Sequence, residues 1–63
     1  MSNTERLQML LDWKAELIAQ RQKIKADNQH SKGNAQVSIS NLVEAINYQL
    51  YFITGLIKDM TEL

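Results

Sequence analysis

Few side chains in this sequence could carry out chemistry, and their spacing fits no catalytic or metal-binding pattern. His30 is the single histidine and cysteine is absent. One imidazole with Asp27 as its nearest acid cannot hold a metal ion, because zinc sites need three or four protein ligands. The serines and threonines lie in predicted caps, loops or helix flanks, without a second histidine as general base. The sequence therefore predicts a non-enzymatic protein without a metal or other cofactor.

Size and composition allow one small domain that covers residues 1–63. The chain has no proline and only two glycines, so few positions force a regular element to stop. Two helices of this length bury roughly a dozen apolar side chains at about 1.5–3 kcal/mol each, against an ordering cost of about 1.5 kcal/mol per residue. With no cysteine there is no disulfide to stabilise the fold. A lone pair of helices is marginal, so we expect self-association or a partner.

The start of the chain and its longest uncharged segment bear on location. The first residues, Met-Ser-Asn-Thr-Glu-Arg, lack the basic-then-apolar run of a secretion signal. The segment from Ala45 to Ile57 contains Asn47, Gln49 and Thr54, and it is shorter than the roughly 20 residues that cross a bilayer. The sequence predicts a cytoplasmic protein that does not enter a membrane.

The elements that must position any site are two helices, and the second has the clearer pattern. Apolar residues alternate at spacings of four and three, which keeps one stripe of a helix turned toward a partner helix. The first helix begins at a predicted capping box of Ser2 and Glu5. Together the two stripes form the predicted seam, which consists of Leu10, Leu17, Ile24, Ile39, Val43, Ile46, Leu50, Ile53, Ile57 and Met60.

These patterns predict an all-α fold, an antiparallel two-helix hairpin that could dimerise into a four-helix bundle. The first helix is expected over about residues 3–28 and the second over about residues 38–61. The loop between them, about residues 29–37, is polar and contains Gly33, which can take a positive φ. Ser38 or Ser40 is the predicted cap of the second helix.

A second apolar and aromatic surface is the main clue to function. Tyr48, Tyr51 and Gly55 lie almost opposite the seam, and the Gly55 position costs about 1 kcal/mol of helix stability relative to alanine. Either a close neighbour explains this glycine, or it is incidental. A core role is the default for Trp13, and a binding hot spot is the alternative. The predicted partner-binding residues are Trp13, Tyr48, Tyr51, Phe52, Gly55 and Leu56.

Four basic residues lie near the end of the first helix. They are Arg21, Lys23, Lys25 and Lys32, with Asp27 as the one acid among them, although the net charge of the chain is zero. Favourable contact with the negative end of the helix dipole explains them better than a phosphate-binding patch. Arg21 projects toward the seam, so its stem must extend along the seam or its charge must meet an acid on a partner.

The run Leu42-Val43-Glu44-Ala45-Ile46, continuing through Leu50, Ile53 and Leu56, resembles the small helical-hairpin subunits of type III secretion needle cochaperones. The opening from Glu5 to Leu11 is also similar to that of some members. The resemblance implies a cytoplasmic protein that pairs with a helical-repeat chaperone and keeps the needle subunit from polymerising before export.

Two other functions stay open at the level of sequence. One is a homodimeric four-helix bundle that binds nucleic acid through the basic end of the first helix, which the zero net charge does not favour. The other is a phage or mobile-element inhibitor of a host protein. In every hypothesis except nucleic-acid binding, the partner is a protein.

Overall fold

The computed structural model describes residues 2–62, which form two α-helices joined by a short loop. Helix α1 spans Asn3–Asp27 and helix α2 spans Asn34–Thr61. The helices pack side by side into a rod with extents of 46 × 15 × 15 Å. The predicted all-α helical hairpin is confirmed.

Helix α1 begins and ends with side-chain caps. The Ser2 Oγ accepts a hydrogen bond of 3.2 Å from the backbone N–H of Glu5, as the predicted capping box requires of the serine. At the other end, the Asn28 side-chain amide donates a bond of 2.8 Å to the carbonyl of Ile24. This amide satisfies a carbonyl that the helix itself leaves unpaired, so α1 stops close to its predicted end.

Helix α2 begins at Asn34, four residues before the predicted start at residue 38, and its cap is Gly33 rather than Ser38 or Ser40. The loop therefore covers residues 28–33 instead of 29–37. Gly33 has a φ of +66°, a backbone conformation that residues other than glycine rarely adopt. Its carbonyl accepts a bond of 3.2 Å from the N–H of Val37, so the chain enters the helix immediately after the turn.

The core is a single line of contacts between the helices. Leu17, Ile46, Leu50 and Ile53 are buried, and the side chain of Ile53 has no exposed surface. The half-buried residues that pack against them are Leu10, Ile18, Ile24 and Ile57. Such a thin core leaves the outer sides of both helices in solvent.

Candidate protein-binding surfaces

The ten residues of the predicted seam all lie at or beside the contact between the two helices. Each is buried or half-buried, and the buried ones occupy the middle of the hairpin. The hairpin itself therefore uses the seam, and a partner must bind elsewhere.

The outer side of α2 carries aromatic side chains that the hairpin does not use. Tyr48 is 73% exposed, Tyr51 is 83% exposed and Phe52 is 63% exposed. They line an open hollow together with Gly55, Leu56 and Asp59. We call Tyr48, Tyr51 and Gly55, bordered by Phe52 and Leu56, the aromatic face.

Gly55 makes this face flat at its centre. A Cβ built on Gly55 would meet nothing within 4 Å, so the packing of the hairpin does not require a glycine there. The absence of a side chain lets another backbone approach this turn of α2 more closely than any other residue would.

Trp13 lies apart from the aromatic face, near the middle of helix α1. Its side chain is 44% exposed, so Trp13 is not part of the buried core that was its default assignment. It borders a separate, apolar hollow of about 440 Å³, lined also by Arg6, Met9, Leu10 and Met60. The structure thus brings together five of the six predicted partner-binding residues and separates the sixth.

Four further exposed apolar side chains, Met9, Leu11, Val37 and Leu42, were not predicted as binding residues. Met9, Val37 and Leu42 are each more than half exposed. Met9 precedes Trp13 by four residues, and this spacing, which places two side chains side by side on a helix, was the available signal. Leu42 precedes Phe52 and Leu56 on the same side of α2.

The four basic residues do not form one patch. Arg21 and Lys25 lie one turn apart, whereas Lys23 lies on nearly the opposite side of α1 at about 100° per residue, and Lys32 belongs to the loop. The guanidinium of Arg21 is also engaged, because its Nη1 donates a hydrogen bond of 2.6 Å to Oδ1 of Asn47. Lys25 lies in the last turn of α1, where a cation interacts favourably with the helix dipole.

His30 is exposed in the loop, and within residues 2–62 no three histidine, cysteine or acidic side chains come close enough to hold a metal ion. Neither helix of this described part is long and apolar enough to cross a membrane.

Comparison of the chain with protein-family models, curated proteins and solved structures gave no significant match. Arguments about function therefore depend on the surfaces described above.

Proposed function

We propose that this chain is a non-enzymatic module that binds another protein through the aromatic face of α2. The observation that carries the proposal is the exposure of Tyr48 and Tyr51 on a helix whose other side is already buried against α1. Tyrosine and tryptophan are the side chains most enriched at protein-binding hot spots. Their large, stiff rings bury much apolar area with little loss of conformational freedom.

The aromatic face suits a partner with an apolar groove and a basic rim. Glu44 lines one hollow beside the two tyrosines, and Asp59 lines the other. Carboxylates at the edge of an apolar patch steer association with a basic partner and fix its orientation, while the buried rings supply most of the affinity. The seam stays closed during binding, so α2 presents a helix already formed.

The resemblance to needle cochaperones supplies a specific form of this proposal. In that form the partners are a helical-repeat chaperone and the needle subunit, all three in the cytoplasm. The support is the run from Leu42 to Ile46 on a helical hairpin. We expect the three proteins, produced together, to co-purify as one complex and the needle subunit to stay unpolymerised. Fibre formation at the same rate with and without this chain would remove the cochaperone assignment while leaving the binding module in place.

Site-specific photo-crosslinking in the native cell tests the general proposal. Benzoylphenylalanine at Tyr51 places the reactive group on the aromatic face, and the same residue at Gln22 places it on exposed α1 as a matched control. We expect one dominant adduct with another protein from position 51 and none from position 22. Equal labelling from both positions, or adducts only between copies of this chain, would contradict the proposal.

A further inference from the structure

The hairpin exposes more surface than a compact protein of its mass. Its accessible area is 5093 Å², whereas a folded monomer of 7.3 kDa exposes about 4,200 Å² by the usual scaling with mass. The surplus is about 900 Å², close to the roughly 800 Å² that each subunit buries in a standard interface. The elongated shape of the hairpin creates this surplus, and its size is comparable with the area that one subunit contributes to a stable dimer.

Helix α2 carries a second stripe outside the seam. It consists of Leu42, Ala45, Gln49, Phe52 and Leu56, with alternating spacings of three and four residues. At about 100° per residue the stripe lies about 90° around the helix from the buried seam. A helix in a four-helix bundle touches two neighbours in about these directions. Leu42 is 54% exposed and Phe52 is 63% exposed, so the second contact is unfilled in the single chain.

The α2 stripe is complementary to itself when a second copy runs antiparallel. Leu42 and Leu56 are each seven residues from Gln49, so the two leucines pair with each other across a two-fold axis. Ala45 then lies near the partner's Phe52, a small side chain beside a large one. The two Gln49 amides meet on the axis, where each can donate a hydrogen bond to the other.

Helix α1 carries a matching stripe of Met9, Trp13, Glu16, Gln20 and Lys23. These residues are rotated from the α1 seam in the same sense as the α2 stripe, and in an antiparallel pair this places both stripes on one side of the hairpin. Glu16 and Lys23 lie four and three residues from Gln20. An antiparallel copy therefore sets Glu16 beside the partner's Lys23, a pair of opposite charges.

The register of the hairpin makes the two stripes share one axis. Arg21 bonds to Asn47, and Leu10 lines the same hollow as Met60. This register places Gln20 and Gln49 at the same height along the rod. The centre of the α1 stripe and the centre of the α2 stripe therefore lie at the same height, although each centre was found from the residue spacing of one helix alone.

From the area, the two stripes and their common centre, we propose that two copies of this chain form an all-antiparallel four-helix bundle. Its two-fold axis crosses the rod between the two copies of Gln20 and between the two copies of Gln49. The bundle buries Leu42 together with Phe52 and Leu56 at the border of the aromatic face, and it leaves Tyr48, Tyr51 and Gly55 outside for the proposed partner. Formation of the bundle does not depend on that partner.

The solution mass of the purified chain and a cysteine crosslink test the bundle together. We expect a mass of twice 7.3 kDa by light scattering at micromolar concentrations. Because the sequence has no cysteine, Gln49→Cys gives a single thiol on the axis, and mild oxidation should link two copies through it. The control Gln22→Cys places the thiol on the far side of α1 and should link at least tenfold more slowly. A monomer throughout, or equal linking rates at positions 49 and 22, would overturn the proposal.

Charge reversal tests the register without changing the apolar contact. Glu16→Lys and Lys23→Glu each place like charges across the axis, and each should raise the dimer dissociation constant several-fold. The double variant exchanges the two charges, so it should return the constant to near its original value. If the dissociation constant of the dimer is unchanged in all three variants, the interface must be a different one. Neither readout involves the crosslinked partner, so either proposal can fail alone.

Discussion

Arg21 and Asn47 join the two helices through a hydrogen bond of 2.6 Å from Nη1 to Oδ1. It is the one hydrogen bond between side chains of different helices among residues 2–62. Arg21 is half-buried, and its guanidinium bonds to an amide of the other helix of the same chain. The sequence raised two outcomes for Arg21, a stem along the seam or an acid on a partner, and it did not indicate this amide acceptor.

A double-mutant cycle should show that this bond stabilises the hairpin modestly. Arg21→Ala and Asn47→Ala should each lower the free energy of unfolding by about 1 kcal/mol, because a hydrogen bond to a charged group is lost. The double variant should cost less than the sum of the two. Urea unfolding by circular dichroism, at one fixed protein concentration, measures these differences. If the losses of the two single variants add up to the loss of the double variant, the bond contributes nothing to stability. Gln22→Ala is the control at an exposed position.

Ile53 should be the most sensitive position of the core. Its side chain is fully buried, so Ile53→Ala leaves a cavity and should lower the free energy of unfolding by about 2–5 kcal/mol. For so thin a core that loss should abolish cooperative thermal unfolding. The matched control is Val37→Ala, since Val37 lies on the same helix and is 60% exposed. Similar melting curves for the two variants would contradict the observed burial.

The hairpin could be predicted because the spacing of seam residues such as Leu50 and Ile53 is a direct consequence of helix geometry. The position at which α2 begins could not be predicted. Asn34, Gln36 and Ser38 face solvent in its first turns, where a helix needs no apolar residue, so their polarity resembled that of a loop. Serine is a common cap, but here the positive φ of Gly33 sets the start.

The surfaces were less predictable than the fold. Sequence periodicity shows that an arc of α2 is apolar, but it does not tell which part of the arc the other helix covers. That depends on the rotation of one helix against the other, which the structure shows by burying Ile53 and leaving Leu42 exposed. The exposure of Trp13 follows in the same way, because it lies about 90° around α1 from the seam, on a side that α2 does not cover.

The two glycines should respond in opposite ways to alanine. Gly55→Ala should raise the free energy of unfolding by about 0.5–1 kcal/mol, because alanine favours the helix and its Cβ meets no neighbour. Gly33→Ala should lower it by about 1–3 kcal/mol, because a φ of +66° with a ψ of −135° strains any residue with a Cβ. Thermal melts of the two variants decide this. If Gly55→Ala destabilises the purified chain instead, a second molecule already packs on that turn.

The tyrosines should matter for binding and not for folding. Tyr48→Ala with Tyr51→Ala removes two rings that are 73% and 83% exposed, so the free energy of unfolding should change by no more than about 0.5 kcal/mol. The same double variant should weaken binding of the crosslinked partner by tenfold or more, since truncation of a central aromatic residue commonly costs about 2 kcal/mol or more of binding free energy.

Val37→Ala with Ser40→Ala is the matched control, because it has the same spacing on exposed α2 and lies outside the aromatic face. Calorimetric titration with the purified partner gives both affinities. Equal affinity for the two double variants would move the binding site away from the tyrosines, and a loss of helicity in the tyrosine variant would make those rings structural.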